Sequence, residues 1–97
     1  MIAVEFLSAA HEELLTAADR YDSEAPGLGA DFIDEVERAL GRIASFAEHG
    51  SPYLAGTRRV LLRRFPFSVV YVLESSKALV VAGAHYGRRP GYWRRRL

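Results

Sequence analysis

The chain has 97 residues, with ordinary hydrophobic (49%) and charged (26%) fractions and no cysteine. These values fit one domain spanning residues 1–97 and exclude disulfides, thiolate metal sites and general disorder. The net charge of +1 conceals a split: residues 1–50 hold eleven acids and three arginines, a charge of −8, whereas residues 51–97 hold Glu74 against nine arginines and Lys77, a charge of +9. A chain so divided points its second half at an anionic partner, and arginine supplies the planar fork for phosphate or carboxylate that lysine lacks.

"MIAVEF" is apolar and β-branched, and it predicts a short first strand. Ser8 stands where it could cap a helix, with Glu12 and Glu13 near the positive end. Leu7, Ala10, Leu14, Ala17 and Tyr21 recur at spacings of three and four, which is one helical face. Pro26, Gly27 and Gly29 break the pattern in a turn. Phe32, Val36, Leu40, Ile43 and Ala47 then mark a second helix, which "EHGSPYLAGT" closes, with Gly50 as its terminator.

The period changes after this loop. "TRRVLLRR" and "FSVVYVL" read as strands joined tightly at Pro66; in the second, Phe67, Val69, Tyr71 and Leu73 alternate with Ser68, Val70 and Val72. "ESSK" is a turn and "ALVVAGA" a third strand. Consecutive strands with short turns make antiparallel hairpins. The predicted order is β-α-α-β-β-β followed by a basic tail. This is an α+β domain with two N-terminal helices packed on one face of a small antiparallel sheet.

The acids are expected on solvated helix faces. In a regular strand Arg59 and Arg63 would share one face and Arg58 and Arg64 the other, with at least one pair at a rim beside helical acids. His85 and Tyr86 follow the last strand among arginines. Such a pair has the chemistry for a phosphodiester, since histidine titrates near neutrality and arginine stabilises a pentacoordinate phosphorus; a capping histidine and a half-buried tyrosine are the more frequent outcome. His11, His49 and His85 are scattered, and no glycine-rich phosphate loop or nucleophile elbow occurs, so no metal and no cofactor are expected.

In "GRRPGYWRRR", Arg88, Arg89, Arg94 and Arg95 interleave with Tyr92 and Trp93. Such a stretch can stack on bases and grip phosphates, or anchor to the domain or a partner. With Arg58, Arg59 and Arg63, these residues are the candidates for partner or target binding. The tail has no hydrophobic period, so losing Arg94 to Leu97 is expected to cost no more than ~0.5 kcal/mol, with Trp93 lying against the domain or a partner. No apolar run approaches the ~20 residues that span a bilayer. The opening residues lack the basic start of a secretory leader, so a cytoplasmic protein without membrane contact is expected.

The helical stretch "HEELLTAADRYDSEAPGLGADFIDEVERALGRI", the loop and strands "HGSPYLAGTRRVLLRRFPFSVVYVL" and the end "AHYGRRPGYW" together resemble the RelE/ParE toxins of type II toxin–antitoxin (TA) modules. The resemblance covers nearly the whole chain in the family's order. It implies a toxin of the plasmid-stabilisation kind that arrests growth when freed, and a cognate antitoxin whose C-terminal segment wraps it in a hetero-oligomer. Two targets follow from the two branches. RelE-like members cleave messenger RNA at the ribosome without a metal, and ParE-like members inhibit DNA gyrase.

RelE itself is rich in lysine at its catalytic surface, whereas this chain has Lys77 alone. Other relatives on the nuclease branch use a glutamate, an arginine and a histidine–tyrosine pair. His85 and Tyr86 match the pair, Arg64 or Arg63 the arginine, and Glu48 is the only acid near the glutamate's place. The "PGLG" turn, the extended second helix and "RRPGYW" are more similar to the ParE side. The resemblance thus implies a gyrase-binding toxin, with a ribonuclease acting through Arg64, His85 and Tyr86 as the alternative. A non-toxic nucleic-acid-binding module is the third reading.

Overall fold

The computed structural model describes residues 1–97, which form β1 (Ala3–Phe6), α1 (Ser8–Glu24), α2 (Leu28–Ser45), β2 (Ser51–Pro52), β3 (Arg58–Leu61), β4 (Phe67–Leu73) and β5 (Lys77–His85). Most of the apolar stripes expected from the sequence is buried, Ala10, Leu14 and Ala17 on α1 and Phe32, Val36 and Ile43 on α2; Ala39 joins them, Leu40 is only partly buried, and Ala47 lies beyond the end of α2. Ala25 to Gly27 suffice to join the helices. Asp22 Oδ1 accepts the amides of Gly27 (2.9 Å) and Gly29 (3.3 Å), which satisfies donors in the first turn of α2 that have no intrahelical acceptor. The start of α1 differs from the sequence reading. Leu7, not Ser8, holds the N-cap position, without a side-chain cap. The Leu7 amide still donates to Val80 O at 2.9 Å, so strand pairing runs up to the residue where the helix begins.

The sheet order is β1-β5-β4-β3-β2. β3, β4 and β5 form the expected antiparallel meander. β1, however, joins β5 in parallel, with Ala3 opposite Lys77 and Phe6 opposite Val80, so the sheet is mixed rather than antiparallel. Ser51–Pro52 adds a fifth strand on β3. A parallel neighbour requires a long crossover, and the two helices between β1 and the hairpins supply one.

The strand expected over "TRRVLLRR" stops at Leu61. Leu62 N donates to Phe67 O, and Glu35 Oε1 on α2 accepts the amides of both Arg63 and Arg64. Arg63 and Arg64 therefore leave the strand, and the face-sharing pairs Arg59/Arg63 and Arg58/Arg64 do not form. Glu35, expected on a solvated face, is only 5% exposed. Gly50 does not end α2, which closes at Ser45; it is a site of close approach instead, where a Cβ would lie 2.7 Å from Tyr71 Oη.

Both faces of β4 are covered. Phe67, Val69 and Tyr71 meet the helices, where Phe32 stands edge-on to Phe65 and Phe67 at 5.1 Å each. On the far face Val70, Val81, Ala82 and Ala84 form a second cluster closed by Trp93. The register steps from Val70 opposite Ala82 to Tyr71 opposite Val80. Val81 is thus a bulged residue, which lets Val81 and Ala82 both face this cluster. The tail folds back over the sheet as a partial third layer and ends in a 3₁₀ turn, Arg94–Arg96.

Candidate functional site

β1 pairs with β5 only as far as Val80, so the edge of β5 beyond it has no strand neighbour. Side chains close that edge. Glu13 Oε1 accepts the Gly83 amide at 3.2 Å, and Arg96 Nη1 donates to Val81 O at 3.0 Å. The Arg96 guanidinium also forks onto Glu13, at 2.8 Å to Oε1 and 3.0 Å to Oε2, and Tyr92 Oη donates to Glu13 Oε2 at 2.6 Å. One carboxylate on α1 thereby fastens the tail to the helix and to β5. Gly83 permits the approach, since a Cβ there would meet Leu14 Cδ2 at 2.4 Å. Burial, and next the bond to Glu13, push the Tyr92 hydroxyl above its ordinary pKa, and the Glu13 bond raises Arg96.

The tail held in this way frames a recess of about 160 Å³ at the end of the sheet, where Tyr53, Arg59, His85, Tyr86, Arg88 and Arg89 converge. The Arg59 guanidinium stacks 3.9 Å from the Tyr53 ring centre, and Arg88 lies 3.8 Å from that of Tyr92. Tyr86 is half exposed. His85 stands edge-on to Phe67 at 5.1 Å, and its Nδ1 accepts the Gly87 amide at 2.8 Å. A neutral imidazole whose Nδ1 accepts carries its proton on Nε2. In that tautomer the open nitrogen of His85 is a hydrogen-bond donor. No aspartate or glutamate lines this recess.

The residues matched to a nuclease are not gathered in one place. Arg64 lies 3.6 Å from Asp31 of α2, both side chains about half exposed, and it does not line the recess. The exposed Glu48 is on the loop after α2, where its carbonyl accepts Arg58 at 3.4 Å; Arg58 also donates to Gly50 O at 2.8 Å and so braces that loop. Arg63 lines a separate groove of about 340 Å³ with Arg42, His49 and Arg59. Arg94 and Arg95 are exposed on the outer side of the tail. A larger groove of about 610 Å³ separates α1 from the tail, with Glu12, Thr16 and Arg20 on one wall and Arg88 and Tyr92 on the other, and His85 lines it as well as the recess. No group of three histidines or acids is placed to hold a metal ion.

Sequence reasoning missed Glu13, Arg96 and Tyr53, and it did not single out Arg59 as the strand arginine beside His85. Glu13 looks like Glu12, and Arg96 like Arg94 and Arg95, until the fold brings residues 13, 83 and 96 together. The period-two reading of β3 held a usable signal for Arg59, because a residue opposite Val70 faces away from the helices.

Fold and surface together define a small α+β protein that presents a basic recess backed by aromatic rings and free of carboxylates. No family model matches the chain, and no curated protein matches it. Among solved structures, a chain of the chromosomal ParDE TA system from P. aeruginosa is similar over 88% of this chain and 96% of that chain, with a TM-score of 0.76 and 17% identity. This protein therefore has the fold of that ParDE chain.

Proposed function

We propose that the chain, as one toxin domain over residues 1–97, is the toxin of a type II toxin–antitoxin module. On this reading it arrests growth in the cytoplasm by ParE-like binding to DNA gyrase. The fold shared with a ParDE chain supports the module. The observation that carries the choice of target is the recess itself. It offers Arg59, Arg88 and Arg89 for binding, and no aspartate or glutamate lines it. The proposed antitoxin covers this basic face with an acidic, partly apolar segment and forms a hetero-oligomer with the toxin.

The test is expression of the chain alone. The expected outcome is growth arrest with loss of gyrase supercoiling in a purified assay, and with intact transcripts. Replacing His85 with alanine should leave the protein folded, bound by its antitoxin and toxic. Normal growth during confirmed expression of soluble protein would count against any toxin.

A ribonuclease is the second reading, favoured by the convergence of His85 and Tyr86 with three arginines in one recess. It requires transcript cleavage that falls by about 10²-fold in His85→Ala or Tyr86→Phe, the usual scale for a lost acid or base. That result would displace the gyrase reading.

A further inference from the structure

We propose that the exposed turn from Arg88 to Arg95 is a sequence-independent grip for the phosphate backbone of duplex DNA. Arg88, Arg89, Gly91, Tyr92, Arg94 and Arg95 line an open hollow of about 650 Å³ on the outer side of the tail, and no acid lines it. Arg89, Arg94 and Arg95 make no ion pair, and Arg88 only a long one, 3.9 Å from Glu13. Gly91, at φ +77°, turns the chain so that the two arginine pairs flank one surface. The turn is held from behind, because Tyr92 and Arg96 are both fastened to Glu13.

What this surface lacks decides the ligand. Trp93 is 1% exposed and belongs to the far-face core, and Tyr92 gives its hydroxyl to Glu13 and one ring face to Arg88. The hollow therefore offers guanidinium groups with no free ring and no apolar socket. A single strand is held largely by bases stacked on aromatic rings. A peptide segment needs apolar anchors in pockets. The backbone of a duplex asks only for cations spaced along its phosphates, and such contacts carry no sequence information.

The biological setting rests on the gyrase reading, since gyrase works on duplex DNA and a toxin docked on it would lie beside that duplex. The contact itself is measurable without gyrase. Full-length protein is titrated with a short random-sequence DNA duplex across a salt series. The binding constant is expected to fall with salt at a log–log slope of about −3 to −4, roughly −0.9 for each phosphate neutralised. Replacing Arg89, Arg94 and Arg95 together with glutamine should flatten that slope by about 3 and weaken binding at low salt by about tenfold or more, without moving the melting temperature. Lysine at the same three positions should restore most of the affinity, because a phosphate accepts a point charge.

An unaltered affinity in the glutamine variant would overturn the grip. So would tighter binding to the single strand, to an RNA duplex or to polyglutamate than to duplex DNA. Gyrase inhibition without duplex binding overturns the grip and leaves the gyrase reading standing. Duplex binding without gyrase inhibition does the reverse.

Discussion

Glu13 illustrates how one side chain fixes where a basic tail lies. Its carboxylate takes the fork of Arg96, the hydroxyl of Tyr92 and the amide of Gly83, and it is largely shielded from solvent. Charge-assisted bonds of this kind are the strong ones, and removing the shared acceptor leaves several donors unpaired. Glu13→Gln should therefore cost about 2–3 kcal/mol in urea denaturation. The matching change at the exposed Glu12 should stay within about 0.5 kcal/mol. Equal effects at the two positions would show that the fastening is not realised in solution.

Tyr92 adds a dependence on pH. Its folded pKa is raised above the ordinary value near 10, first by burial and then by Glu13. A group with a raised folded pKa contributes its stability fully below the unfolded pKa and loses it as pH climbs through the folded one. Tyr21, raised mainly by burial, and Lys77, raised by its bond to Glu5, act in the same direction over the same range. The difference between wild type and Tyr92→Phe isolates the one group. That difference should be about 1 kcal/mol near neutrality and should narrow above about pH 10. A constant gap up to the alkaline limit of folding would contradict the assignment.

Among the elements, the helices and the β4–β5 hairpin were legible because an apolar period shows directly which residues must leave water. The parallel seat of β1 was not, because "MIAVEF" suits either edge of a sheet and its partner, Lys77 to Val80, lies beyond two helices. The short β2 and the bulge at Val81 carry no period long enough to read. The early end of β3 depends on Glu35, which on its own helix looks like any surface acid. The site was half legible for the same reason. Local sequence brought His85, Tyr86, Arg88 and Arg89 together, whereas Arg59 and Tyr53 arrive across the sheet.

The tail is where the two readings differ most. It lacks a period, yet Trp93 fills the far-face cluster beside Val70, Val81, Ala82 and Ala84. Trp93→Ala should cost about 3–5 kcal/mol, the range for a large buried aromatic. Deleting Arg94 to Leu97 should cost about 2–3 kcal/mol, because it removes the Arg96 fork; the sequence alone suggested no more than ~0.5 kcal/mol. Arg94→Gln with Arg95→Gln should stay within about 0.5 kcal/mol of wild type. A melting series over these three variants checks the order. If the truncation melts with the double glutamine variant, Arg96 is merely solvated.

At the scale of the whole molecule, the charge division sets how a partner arrives. The chain is 40 Å along its longest axis and carries −8 on residues 1–50 against +9 on residues 51–97. Not all of that charge is free to steer. Glu13 is held by Arg96, Asp31 lies near Arg64, and Lys77 is shared by Glu5 and Glu74. Arg89, Arg94 and Arg95 remain unpaired on the tail, and Arg59 and Arg63 at the recess and groove beside it. At low salt the screening length, ~30 Å at 0.01 M, approaches the length of the molecule, so an acidic segment feels both halves and is turned toward the basic one. At ~0.15 M the length shrinks to about 8 Å, and only arginines within reach still act. Association with the proposed antitoxin should therefore slow by at least about tenfold between low and high salt, whereas dissociation, governed by apolar contacts already made, should change far less. Stopped-flow mixing over a salt series measures both rates. An association rate that stays flat would mean that apolar contacts alone guide the partner, and that the arginines of the second half serve something other than its capture.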